Sequence, residues 1–200
     1  MSMNLIGNSC ISAYIQKYML NQQFENPFCW CTVSQSDMSK LILNYDKINW
    51  ADYRLIVKNN FRYISVSHLF CIKYVHYHYD KTAETPRFVK GAADNIYYKD
   101  IDKYVIDKYK IRTERMLKAN NESIFIIGNI FEDQKVQFDI ATNLIKTANY
   151  KIIFVTSEKQ FLTIKSDNID VVLYNIDELT RKNQTQQLAE KVFAESSFFK

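Results

Sequence analysis

The chain has 200 residues, 47% of them hydrophobic and 24% charged, with a net charge of +4 at pH 7. That apolar share builds a proper core, which excludes disorder and a disulfide-stapled miniprotein, and 3 glycines with 2 prolines exclude fibrous and low-complexity classes. The positive excess is spread along the chain without a Lys/Arg run, so nucleic acid is not an expected partner.

A short strand is predicted at Asn4-Leu5-Ile6, turning through Gly7-Asn8-Ser9. The helix that follows has Ile11, Tyr14, Ile15, Tyr18 and Met19 at core-facing spacing, with Ser9 as its N-cap and Cys10 in its first turn. Pro27 to Val33 reads as extended, and a second helix is expected from Ser36, with Met38, Leu41, Ile42 and Tyr45 on one side. From Trp50 to Asp80 the β-branched and aromatic runs Arg54–Val57, Tyr63–Val66 and Cys71–Tyr79 read as strands. Thr82 to Gly91 reads as a long loop, and a polar helix as running from Tyr98 to Leu117. Strands at Ser123–Gly128, Lys151–Thr156 and Asp170–Tyr174 alternate with helices at Glu132–Ala148 and Leu179–Phe193. Short apolar strands alternating with helices predict a mostly parallel sheet covered by helices, a Rossmann-like three-layer α/β fold over residues 1–200 as a single domain.

Met1 to Gly7 is neither basic nor followed by an apolar run, and no stretch of about 18 apolar residues occurs. A secretory signal and a membrane span are therefore not expected, and a cytoplasmic location is. In that reducing compartment Cys10, Cys29, Cys31 and Cys71 should be free thiols. Cys29 and Cys31 lack the two-residue spacer of zinc and redox motifs and read as ordinary buried cysteines.

Ligands of open parallel sheets bind beyond the carboxyl ends of the strands, and the first such end here is Gly7-Asn8-Ser9-Cys10. A thiol in a helix first turn is expected to have a depressed pKa, and the neighbouring N–H groups can stabilise an oxyanion. Gly7 would allow a tight turn and close approach by substrate. Cys10 is thus a nucleophile or a small buried residue, while Ser9, a competing hydroxyl, is explained by its capping role. A thiol nucleophile needs a base, and the histidines are His68, His76 and His78. His76 and His78 share a strand face with Asp80, which could orient one of them. Two imidazoles on one face could also share an ion, but spacing marks no third ligand and no metal is expected. His68 reads as a generic strand or turn residue. Lys108, Arg112 and Arg115 share a helix face, which holds either an anion or a solvated set of pairs with Asp107 and Glu114. Gly128-Asn129 is a weaker anion candidate, without the glycines of a nucleotide-binding fingerprint.

The order Cys10 after the first strand, Asn26-Pro27-Phe28-Cys29-Trp30, the His76-Tyr-His78 segment, then Arg112 and Arg115 before Ser123–Ile127 resembles two related groups of uncharacterised bacterial proteins. One is assigned to papain-like cysteine peptidases; the other belongs to exopolysaccharide and capsule gene clusters. The resemblance covers residues 4 to 130 and implies a polysaccharide-cluster context, a Cys/His site, and a place for Trp30, Arg112 and Arg115 near substrate. The resulting expectation is a thiol-dependent acyl-transfer or hydrolase domain in surface-polysaccharide biosynthesis. Cys10 would be the nucleophile, His78 or His76 the base and Asp80 the orienting carboxylate. Gly7, Asn8 and Ser9 would line the substrate, and coenzyme A or a nucleotide sugar would meet the arginines. The alternative is a non-catalytic sugar-nucleotide-binding or partner module of a glycosyltransferase complex.

Overall fold

A computed structural model describes residues 3–7, 9–22, 25–59, 61–74, 78–80, 87–90, 94–95, 101–119, 122–128, 150–157, 159–164, 166–175, 179 and 183–200. In chain order these form β1 (Asn4–Gly7), α1 (Ile11–Tyr14) running on as a π-helical turn (Ile15–Met19), and α2 (Gln35–Asn44). Next come β2 (Tyr53–Lys58), β3 (Phe61–Val66), β4 (Phe70–Tyr74), β5 (His78–Asp80), β6 (Arg87–Lys90) and β7 (Asp94–Asn95). Then follow α3 (Ile101–Ala119), β8 (Ser123–Ile127), β9 (Lys151–Thr156), β10 (Ile169–Leu173) and α4 (Gln184–Glu195).

Strands β1, β8, β9 and β10 form a parallel sheet in the order β1-β8-β9-β10. Ile6 pairs with Phe125 and Ile127 with Phe154, so the buried apolar residues stand in ranks across the sheet. Because side chains alternate along a strand, these runs serve two cores at once. Leu5, Ile124, Ile126, Ile153 and Val155 face α1 and α4, meeting Ile11, Ile15, Leu188 and Val192. Ile6, Phe125, Ile127, Ile152 and Phe154 face α2, α3 and a second sheet. Each such side chain, taken fully out of water, contributes about 1.5–3 kcal/mol.

That second sheet is where the architecture departs from a purely Rossmann-like three-layer expectation. Strands β2, β3 and β4 pair antiparallel in that order, placing Ile64, Val66, Phe70 and Ile72 in the shared core. The cause lies in the connections. Asn59 (φ 50°) turns β2 into β3, and Ser67 and His68 (φ 48° and 54°) turn β3 into β4, and so short a connection joins only antiparallel neighbours. His68 is therefore a left-handed turn residue. The fold is mixed α/β. A small antiparallel sheet β5-β6-β7 follows, so part of the expected loop over 82–91 is strand.

Other boundaries differ for local reasons. Cys10, not Ser9, caps α1, with helical φ and ψ of −68° and −4° and no side-chain capping bond. Residues 27–30 turn rather than extend. In the widened helical turn Leu20 N–H reaches Ile15 O at 3.0 Å, which rotates Tyr18 out to 56% exposure instead of into the core. Ser34 caps α2, its Oγ accepting from Asp37 N at 3.1 Å. The last helix begins at Gln184 rather than 179. The helix expected over 132–148 lies outside the described residues. Among the described residues, no helix is long and apolar enough to cross a membrane.

Candidate functional site

Beyond the carboxyl end of β1 sits a loop, residues 25–31, that Asn26 builds. Its side chain is fully buried, and Nδ2 donates to Leu5 O and to Asn4 Oδ1, both at 2.8 Å. Its Oδ1 accepts from Phe28 N at 2.9 Å, which closes an Asx-type turn. Phe28 is driven into the core, with its ring centroid 6.2 Å from Phe70 and 6.1 Å from Trp50. Trp30 takes the left-handed φ of 61°, an uncommon conformation for a bulky residue, and its Nε1 donates to Glu25 Oε1 at 3.2 Å.

Arg112 of α3 locks this loop. It is 3% exposed; Nη1 donates to Cys29 O at 2.8 Å and Nη2 to Glu25 Oε2. Burial by itself would raise the Glu25 pKa. The charge and hydrogen bond of Arg112, the charge of Lys108 and the Trp30 bond outweigh burial and hold the carboxyl below its ordinary value. Arg112 thus spends its fork inside the protein on Glu25, not on Asp107 or Glu114. Arg115, three residues on, is exposed. Of the two, only Arg115 is left at the surface.

The Cys10 thiol goes against the expected depressed pKa, whereas Cys29 and Cys31 are buried, as expected of ordinary core cysteines. Burial pushes Cys10 up to about 11 and Cys29 up to about 12, and it raises Cys31 as well. The positive charge of Arg112 pulls the latter two the other way without prevailing. The α-helical part of α1 is 4 residues long, so its dipole is small against the cost of burying a thiolate. Hydrogen bonding agrees: Cys29 Sγ–H points to Gln16 Oε1 and Asn26 Oδ1 at 3.5 Å, and Cys31 Sγ–H to Cys29 O at 3.5 Å. All are acceptors, which suits a protonated thiol.

The remaining sequence candidates are distributed as follows. Gly7 is buried, and the space a Cβ would fill is taken by Ser12, with Oγ 2.5 Å away, so the close approach there is by the chain's own helix. Ser9 offers its carbonyl to Ser12 Oγ at 3.3 Å. Asn8 and His76 lie outside the described residues, as does Asn129. His78 and Asp80 sit on β5, opposite Val89 and Arg87 of β6. Gly128 packs against Val155 rather than opening a cradle. Among the described residues no group of three or more His, Cys, Asp or Glu could hold a metal ion.

Two clefts flank the Glu25–Arg112 pair. One, of about 330 Å³, is lined by Gln16, Tyr18, Gln22, Glu25, Cys29 and Trp30 among others. The other, of about 370 Å³, is lined by Glu25, Tyr104, Asp107, Lys108, Arg112 and Arg115 among others. Gln16 and Glu25 escape sequence reading, and Asn26 enters it only as the head of the Asn26–Trp30 motif, because their roles depend on partners far along the chain. The one local signal was Asn26 immediately before Pro27, a turn-forming pair.

No family model, curated protein or solved structure matches this chain. What the fold and site define is a mixed α/β domain with a buried thiol cluster and an arginine-locked loop at one end of its parallel sheet.

Proposed function

We propose that this chain is a cytoplasmic thiol-dependent acyl-transfer or hydrolase domain of surface-polysaccharide biosynthesis, with Cys10 as nucleophile. The observation that supports it is the position of Cys10. It stands at the carboxyl end of β1, where α/β sheets bind ligands, and its loop is next to the Asn26–Cys31 turn that Arg112 holds. A thiol raised to about 11 is almost wholly protonated at rest, so catalysis requires a base that takes its proton as the substrate arrives. His78, or His76 two residues after buried Tyr74, is that base, and Asp80 orients it. Sγ bonds to the acyl carbon while the thiol proton passes to the imidazole. The bond to the leaving group then breaks, and the imidazolium returns the proton to it. Water or a sugar hydroxyl takes the acyl group from sulfur in the second half.

The test is intact-protein mass after incubation with acetyl-coenzyme A or p-nitrophenyl acetate. The expected result is one acyl group on the parent, none on Cys10→Ala, and acylation slowed about 100-fold in His78→Ala or His76→Ala. Acylation of Cys10→Ala at the parental rate overturns the assignment.

The second reading is a non-catalytic sugar-nucleotide-binding or partner module of a glycosyltransferase complex. The protonated state of Cys10 and the aromatic and amide lining of the first cleft favour it. Stabilisation by a nucleotide sugar or coenzyme A without acyl-enzyme formation would select it.

A further inference from the structure

We propose that the outer edge of β2 is a dimer interface, on which a second copy of this chain adds its own β2 antiparallel, Leu55 opposite Leu55. The inference needs neither Cys10 nor a histidine, so it stands apart from the readings above.

Pairing with β3 sets which backbone groups face outward. Asp52 O accepts from Ser67 N at 2.7 Å, and these residues stand opposite each other, one step before the Tyr53–Val66 pair. Hydrogen-bonded pairs alternate along an antiparallel ladder, so Arg54, Ile56 and Lys58 also spend their N–H and C=O groups on β3. Tyr53, Leu55 and Val57 point theirs the other way. Among the described residues nothing donates to or accepts from those outward groups. Two other strand edges are closed. Thr32 exchanges both backbone bonds with Lys73 of β4, and Asn26 Nδ2 takes Leu5 O of β1. An edge of 6 residues in unbroken register, with neither proline nor glycine, is a template for another strand.

The side chains say which strand fits. Tyr53, Leu55 and Val57 share one face, and Val57 is 52% exposed. With Leu55 opposite Leu55, Val57 of each copy comes opposite Tyr53 of the other. Tyr53 is braced by the Tyr109 ring at 4.8 Å and lines a cleft with Trp50, Ala51 and Leu117 among others. The exposed valine is thereby brought beside apolar surface. Asp52, Arg54 and Lys58 are exposed, and among the described residues neither Asp52 nor Lys58 forms an ion pair within the chain. The same register sets Asp52 of each copy opposite Lys58 of the other, an attraction that two-fold symmetry makes twice. Arg54 then meets Ile56 rather than a cation. Neighbouring registers fail on charge. Centring on Ile56 puts Arg54 opposite Lys58 twice, and centring on Arg54 puts that arginine against itself, both destabilising. Charge thus selects one register, and its symmetry closes the assembly at two copies.

The test is sedimentation equilibrium of the full chain from micromolar to near-millimolar concentration. A reversible conversion from 23.7 kDa to twice that mass is expected. Val57→Pro removes an N–H that faces outward and leaves the bonds to β3 whole, so it should abolish the dimer while the cooperative melt persists. Lys58→Asp and Asp52→Lys, both at exposed positions, should each weaken the dimer about tenfold. Combining the two exchanges the charges and should restore the parental affinity. If Val57→Pro does not fold, the charge series alone decides. A chain that is monomeric at every concentration overturns the proposal. So does a dimer that Val57→Pro leaves intact, or one that the double charge variant fails to restore.

Discussion

Asn26 shows how much one side chain can determine. It satisfies the Leu5 carbonyl at the strand end and the Phe28 N–H in the loop while fully buried itself. Asn26→Leu keeps the branched four-atom outline and removes both bonds, leaving two buried backbone groups without partners at about 1–3 kcal/mol each. A loss of about 3 kcal/mol in urea-derived stability is expected, with the m-value unchanged. At Cys10 the balance of burial over helix dipole sets reactivity. Alkylation of the folded protein at Cys10 should be slow at pH 8 and rise about tenfold per pH unit towards about 11. A rate at pH 7.5 matching that of the unfolded chain would show that burial does not control this thiol.

At the scale of elements, two strand ends are closed by glycine for different reasons. A Cβ on Gly128 would stand 2.6 Å from both Val155 O and Val155 Cβ, where two hydrogen-bonded parallel strands cannot part. A Cβ on Gly7 would meet Ser12, at 2.5 Å from Oγ and 2.8 Å from Cβ, and Ser12 belongs to the short helix α1. Both substitutions overpack and should cost about 1–3 kcal/mol, with Gly128→Ala the more damaging because its neighbour is backbone. Ser12→Gly should recover part of the Gly7→Ala loss and none of the Gly128→Ala loss. Thermal melts of the two double variants measure this coupling. If Ser12→Gly rescues neither, the close approach at β1 is not what excludes a side chain there.

For the whole molecule, ion pairs and thiols limit stability at opposite ends of the pH scale. The Glu25 pKa is lower folded than unfolded, so its contribution is present above the unfolded value of about 4.3 and lost as pH falls through the folded one. The Cys10 pKa is higher folded than unfolded, so its contribution is present below about 8.5 and lost as pH rises towards about 11. Melting temperature should therefore decline on both sides of a neutral plateau. Glu25→Gln should flatten the acid limb while lowering the unfolding free energy at neutral pH by about 2 kcal/mol, less than for a fully enclosed pair because the Glu25 side chain is 38% exposed. Cys10→Ser should flatten the alkaline limb. An acid limb unchanged in Glu25→Gln would place the acid sensitivity in another carboxylate.

Local pattern alone determined much of this molecule. The runs Ser123–Ile127 and Lys151–Thr156 are apolar at every interior position because both faces of their sheet are covered, and that is legible without coordinates. The spacing of Met38, Leu41 and Ile42 likewise marks the buried side of α2, and the interval between β8 and β9 is long enough for a parallel crossover. Tertiary structure alone decided which way the aromatic strands of the middle pair and that they form their own sheet, because hairpin turns at Asn59 and Ser67–His68 depend on backbone φ. It also decided the site. Arg112 and Glu25 are 87 residues apart, and nothing in the helix bearing Arg112 names its partner. The thiol of Cys10 reads as activated from its place before a helix, and burial reverses that, because desolvation depends on everything packed around a group and not on its neighbours in sequence.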